Sequence, residues 1–318
     1  MLSVTEAAGR LLSFDNVLIL THVRPDGDTV GCAGALCAAL RNAGKTAYLL
    51  PNPGLTDTTA PFFAPYAAPE GFLPESVVST DIATTGLLPD NAKAYAQRID
   101  LAIDHHASFE HFARANIVRP QAAACGELMY DILSAMGQVT PEIARLLYLA
   151  ISTDTGCYAY ANTTAYTHAV TAALMETGID VAPINKVFFR TKTRRRIQLE
   201  SAMIAGCEFY DRDRVAILSV PMELMERIGA TETDAEDLSA LGGQIEGVDC
   251  AVTMRELRSG VWKLSLRTGP RVNATRVCAR LGGGGHPAAA GCTVEAPRSE
   301  VKNLILQAIA AETADFQR

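Results

Sequence analysis

The sequence predicts an α/β protein: a mainly parallel sheet with helices on both faces, then a smaller mixed α/β domain. Three observations carry this reading. Short apolar runs alternate with helical ones up to about Gly178, the pattern then turns to closely spaced strand-like runs, and polar residues gather where the early runs end.

In order, "NVLILT" reads as a buried strand, "GDTVGCAGALCAALRNAGK" as a helix of small apolar residues closed by Gly44, and "TAYLL" as a second strand. Strand-like "ESVVSTD" and "DLAIDHH" follow. The runs "AAACGELMYDILSAMG", "TPEIARLLYLAIS" and "TTAYTHAVTAALMETG" have helical periodicity. Strands alternating with helices predict right-handed crossovers and a ligand site at the carboxyl ends of the strands. "NKVFFRTKTRRRIQLESAMIAGCEFY" reads as one long helical stretch with a basic cluster, Arg190 to Arg196. Beyond it, "RVAILSV", "DCAVTMREL" and "VWKLSLRT" are strand-like, "NATRVCARL" is helical and leads into four glycines, and "SEVKNLILQAIAAE" is a final helix. The expected domains are residues 1–185, a helical connector 186–210, and residues 211–318.

The 318 residues are enough for two domains with their own cores. No apolar run approaches the roughly 20 residues of a membrane-spanning helix, and the first residues lack the basic start and apolar centre of a signal peptide, so a cytoplasmic protein is expected. Eight scattered cysteines with no CxxC pair read as buried thiols. With a net charge of -7, the surface as a whole does not attract nucleic acid, so an anionic substrate needs a local site.

That site is suggested by "THVRPDGDTVG", which packs His22, Asp26 and Asp28 into one loop; a turn needs only Pro25 and Gly27. Asp81 closes the next strand-like run, Asp104, His105 and His106 close another, and Asp154 lies just beyond an apolar helix expected over 141–152. Brought together, these carboxylates cannot all ionise without cations. Asp26, Asp28, Asp81 and Asp154 carry four negative charges and His22 and His105 none, which balances two divalent ions. Carboxylate and imidazole ligands suit manganese, with iron, cobalt or zinc also open. Singly, each Asp reads more simply as a helix cap; their recurrence at successive strand ends favours the metal reading. His111 and His168 read as ordinary surface or packing residues.

These motifs resemble those of the DHH phosphoesterase superfamily, in the form that joins a DHH domain to a DHH-associated domain. "HVRPDGDTVG", Asp81, "DHH", "STDTG" and "GGGGH" occur in that order and cover nearly the whole chain. The resemblance implies that His22, Asp26 and Asp154 hold one metal, that Asp28 and His105 hold the other, and that Asp81 bridges them. It implies that His106 meets the scissile phosphate or the leaving oxygen and that Asp104 orients the histidines. Cys32 stands where relatives often carry serine, and an effect on packing alone is expected of it. The length and "GGGGHPAAAG" look most like the branch that hydrolyses short oligoribonucleotides and 3'-phosphoadenosine 5'-phosphate. The implied partners are short RNA or DNA oligonucleotides or a small nucleotide, with a homodimer left open.

Four glycines after a helix exceed the needs of a cap, and unobstructed amides can cradle a phosphate, so Gly283, Gly284, Gly285 and His286 are candidate substrate contacts. Arg267, and after it Arg255, are the arginines placed near them. Arg194, Arg195 and Arg196 read as a solvated helix face or as a lure for a phosphodiester. Competing functions are a RecJ-like single-strand exonuclease, an inorganic pyrophosphatase and a non-catalytic nucleotide sensor. An acidic chain with 6% aromatic residues, whose one tryptophan, Trp262, reads as core, argues against a long-strand binder.

Overall fold

The apolar run after Asn16 forms β1 (Val17–Leu20), and all four of its residues are buried, as a strand covered on both faces requires. The computed structural model describes residues 1–316, which fall into two compact units, Met1–Thr191 and the chain from Lys192 onward. In the first unit β1 joins β2 (Ala47–Leu49), β3 (Ser76–Thr80), β4 (Leu101–Asp104) and β5 (Asn116–Val118) in a parallel sheet of order β2-β1-β3-β4-β5. The order reverses between β1 and β3, opening a crevice at their carboxyl ends.

Val17, Ile19, Val78, Leu101 and Ile103 pack under α1 (Val4–Ser13), α2 (Gly27–Asn42), α4 (Cys125–Ala135) and α5 (Pro141–Asp154), with Phe63 of the single turn α3 (Ala60–Phe63). The other face, Leu18, Leu20, Val77 and Ile99, is covered by the segment of two short 3₁₀ turns, Thr85–Leu87 and Asp90–Tyr95. α6 (Ala165–Glu176) and α7 (Ala182–Phe189) complete the unit.

α2 and α5 lie close together because glycines of α2 face α5. A Cβ at Gly31 would stand 2.4 Å from the Leu146 carbonyl oxygen and 2.9 Å from the Ala150 nitrogen, both backbone atoms that cannot swing away. This contact draws the end of α5, at Asp154, toward the start of α2, at Asp28. Gly31→Ala is expected to cost about 1–3 kcal/mol by overpacking. Chemical denaturation of wild type and variant checks this, and equal stability would mean the seam yields freely.

The single helical stretch expected from Asn185 onward is broken. α7 ends at Phe189, and a new helix, α8 (Arg194–Ala205), starts where the Thr193 side chain accepts a hydrogen bond from the Arg196 amide. The last residues of the stretch, Glu208–Tyr210, form strand β6. Then come β7 (Val215–Val220), α9 (Met222–Ile228), α10 (Ser239–Gly242), β8 (Cys250–Arg258), β9 (Val261–Thr268), α11 (Ala274–Ala279), β10 (Gly284–His286), β11 (Ala289–Glu295) and α12 (Arg298–Phe316). The sheet order is β10-β11-β9-β8-β7-β6, with β7 and β8 parallel and the other pairs antiparallel. One face packs on α11 and α12 and includes buried Trp262; the other packs on α8, α9 and α10. Among the described residues no helix is long and apolar enough to cross a membrane.

Candidate metal centre

Each strand of the crevice ends in a polar residue. β1 runs into Thr21 and His22, β3 into Asp81, and β4 finishes at Asp104, followed by His105 and His106. Asp26 caps α2, its Oδ1 accepting the amides of Asp28 and Thr29 at 3.1 Å each, so the simple capping role holds for this residue beside any other. α5 runs to Asp154 itself, two residues past its expected end.

The six candidate ligands converge in two of three overlapping groups, His22 with Asp26 and Asp81, and Asp28 with His105 and Asp154, and the third joins Asp81 and His105 to His106. His22 Nε2 lies 3.6 Å from Asp26 Oδ1 and 4.0 Å from Asp81 Oδ2. His105 Nε2 lies 3.5 Å from Asp154 Oδ2, 3.8 Å from Asp28 Oδ2 and 3.6 Å from Asp81 Oδ1. Asp81 thus turns one oxygen toward each histidine. Asp154 stands with Asp28 and His105, whereas the resemblance grouped it with His22 and Asp26; the end of α5 meets the start of α2 on the Asp28 side. Two ligand atoms each about 2.1 Å from one ion stand roughly 3 to 3.5 Å apart, slightly closer than these separations.

The donor chemistry fits a cation. His105 Nδ1 is 3.1 Å from the Ala122 carbonyl oxygen, a partner that can only accept, so Nδ1 carries a proton and Nε2 is the nitrogen turned toward three carboxylates, the one a cation would use. Buried Asp81 Oδ1 has no hydrogen-bond partner, and Asp81 holds a left-handed backbone, φ 58°. Asp81 Oδ1 is also 3.6 Å from His106 Nδ1, and several buried carboxylates this close together are costly unless positive charge is added among them.

Burial first, then the charges of Asp154 and Asp26, push the Asp28 carboxyl well above the usual carboxylate range. Burial followed by Asp28 and Asp26 does the same to Asp81, and burial chiefly raises Asp154. His106 rises to about 9, first because Nδ1 bonds Asp104 Oδ1 at 2.7 Å. A group raised by folding stabilises fully below its unfolded pKa and loses that contribution as pH climbs through its folded value. Chelated protein is therefore expected to lose stability from about pH 4 upward, with His106 adding to the loss between 6.5 and about 9. Saturating manganese is expected to remove the loss if it neutralises the carboxylates. Melting temperatures of chelated and manganese-loaded protein from about pH 5 to about pH 8 test this; the gap should widen with pH, and a gap that is absent or constant counts against a converged metal site.

Asp104 is fully buried and lies under the histidines: Oδ1 accepts the amides of His105 and His106 at 2.6 and 3.1 Å as well as His106 Nδ1. His106 thereby presents Nε2 outward on a side chain that is 43% exposed. Several partners escaped the sequence reading. The first amides of α4, from Cys125 and Gly126, donate to Asp28 at 2.7 and 3.0 Å. Asn162 Nδ2 donates to the Ala123 and Asp154 carbonyls. Cys32 is more than a packing residue, because its thiol donates to Asp28 Oδ1 at 3.2 Å. Amide donors carry no side-chain signal; only the one-turn spacing of Cys32 from Asp28 could have exposed its contact.

In the second unit the glycine run is less open than expected. Gly282 has φ 75° and Gly285 φ 144°, and a Cβ on Gly283 would lie 2.2 Å from the Gly291 carbonyl oxygen, so local backbone explains three of the four. Gly284 has nothing within 4 Å of an added Cβ and sits on edge strand β10, where a ligand can approach. Ala289 pairs with both His286 and Arg267, so those two side chains share one face of the sheet, separated by a single alanine. Arg195 and Arg196 bind Asp234, Glu200 and the Asp234 and Glu236 carbonyls, and Arg255 pairs with Glu232. Among the three arginines at the start of α8, two thus brace their own unit.

Residues 16–151 match the DHH family, N-terminal domain, and residues 215–315 match the DHHA1 domain. The chain is 32% identical over 282 residues to the bifunctional oligoribonuclease and PAP phosphatase NrnA of Thermus thermophilus, covering 88% of this chain and 84% of that protein. It is 22% identical to the Bacillus subtilis protein of the same name, covering 91% and 93% of the two chains. The fold matches a crystal structure of an exopolyphosphatase-related protein from Bacteroides fragilis with a TM-score of 0.87 at 22% identity, over 99% of this chain and 98% of that one. Two domain matches in sequence order, and a relative at this identity over most of both chains, place the protein: it belongs to the DHH phosphoesterase family, in the form that carries a DHHA1 domain.

Proposed function

We propose that this protein hydrolyses short oligonucleotides and 3'-phosphoadenosine 5'-phosphate with the help of two divalent cations, manganese foremost. The observation that carries the proposal is Asp81, whose two carboxylate oxygens face different histidines, as a bridge between two ions requires. The relatives named for oligoribonuclease and PAP phosphatase activity support the substrate class. His22 and Asp26 would hold one ion, Asp28, His105 and Asp154 the other, and Asp81 both. When bound, such a pair supplies a hydroxide nucleophile at neutral pH and neutralises phosphate charge. His106, oriented by Asp104, protonates the leaving oxygen from Nε2. Of the candidates Arg267, Gly283, Gly284, Gly285 and His286, we place substrate phosphate on Arg267 and His286 beside the open edge at Gly284, since the Gly283 amide is given to the Cys278 carbonyl.

The test is a hydrolysis panel from dinucleotide to about 24-mer, with phosphoadenosine phosphate and pyrophosphate alongside, in manganese. Catalytic efficiency is expected to peak at about two to five nucleotides, because a chain with net charge -7 and 6% aromatic residues is poorly composed for the basic, aromatic-lined groove that lets affinity grow with strand length. Rates climbing steadily with length would favour a RecJ-like exonuclease, cleavage of pyrophosphate alone a pyrophosphatase, and no turnover of any substrate a sensor.

A further inference from the structure

Among the carboxylates of the candidate ligand set, Asp28 accepts the most hydrogen bonds. An ionised carboxylate offers about four lone-pair positions. Oδ1 receives the Gly126 amide at 3.0 Å and the Cys32 thiol at 3.2 Å; Oδ2 receives the Cys125 amide at 2.7 Å. One position is left, on Oδ2, the oxygen 3.8 Å from His105 Nε2 and grouped with His105 and Asp154. Two of the three donors are amides at the start of α4, fixed by the backbone. The third is a side chain one turn along α2 from Asp28 itself, fully buried, in a place that water does not reach.

We propose that Cys32 is a positioning residue for the metal centre: its thiol fills the last free site on Asp28 Oδ1 and so commits the remaining lone pair of Oδ2 to the cation. The proposal rests on the two-cation reading above. Without the donor, Oδ1 has an unfilled position in a dry interior, and the carboxylate can pivot about its two amide bonds away from the line to His105. Serine offers the same donor. Alanine removes both donor and volume, and valine keeps volume without the donor.

The experiment is manganese binding to wild type, C32S, C32A and C32V, read as dissociation constants from the paramagnetic signal of free Mn²⁺, with melting of each chelated protein to confirm folding. C32S should stay within about twofold of wild type, whereas C32A and C32V should bind at least about tenfold more weakly, the size expected for the loss of a partner that orients a ligand. C32V separates donor from volume should C32A fold poorly. Wild-type affinity in a folded C32A or C32V, or a C32S as weak as either, would overturn the proposal while leaving the two-cation reading intact. A wild type that binds no manganese would overturn both.

Discussion

Asp81→Asn is expected to lower turnover on the order of a thousandfold or more, because it removes charge from the one carboxylate that faces both histidine groups. Asparagine is the informative substitution. Asp81 holds φ 58°, a left-handed conformation that asparagine accepts and alanine resists, so Asp81→Ala would mix lost ligation with backbone strain. Asp81 is also buried, and its carboxyl is raised by burial and by Asp28 and Asp26. Neutralising it should therefore leave the chelated protein at least as stable as wild type while abolishing the rise in melting temperature on adding manganese. Loss of activity together with a well-folded variant would support the bridge. Near-native turnover of Asp81→Asn would sink the ligand assignment.

His106→Ala is the second large effect, a fall in kcat of about a hundredfold to ten-thousandfold, the range for a positioned proton donor. Nδ1 is occupied by Asp104, so only Nε2 can serve a substrate, and the side chain is exposed enough to meet one. Manganese affinity should change little, because His22, Asp26, Asp28, His105 and Asp154 retain their arrangement. A substrate whose leaving group needs no proton, such as a nitrophenyl phosphodiester, should suffer much less. Equal loss on both substrates would remove the proton-donor role and leave phosphate contact.

Histidine and aspartate at strand ends made the candidate metal ligands legible, since few other roles require several carboxylates and imidazoles at successive strand ends. The strands were legible too: "VLIL" and "SVVST" have no polar alternation and no helical stripe, and both are buried throughout. Asn116–Val118 was missed, because three residues at a sheet edge carry too little pattern. The run from Asn185 to Tyr210 misled because its middle, Arg194 to Ala205, is rich in helix formers, while Thr191, Thr193 and Gly206 mark breaks that become explicit only where Thr193 caps a new start.

What the sequence determined by itself was the chemistry available: which residues could bind metal, and in what order along two domains. What only the tertiary structure decided was who shares whom. Asp154 joins Asp28 and His105 because glycine lets α5 approach α2, and Asp28 is held by Cys32 and by amides about 97 residues away in the chain. Backbone amides look alike in any sequence. Their direction in space, fixed by packing, selects the single lone pair that Asp28 has left to give.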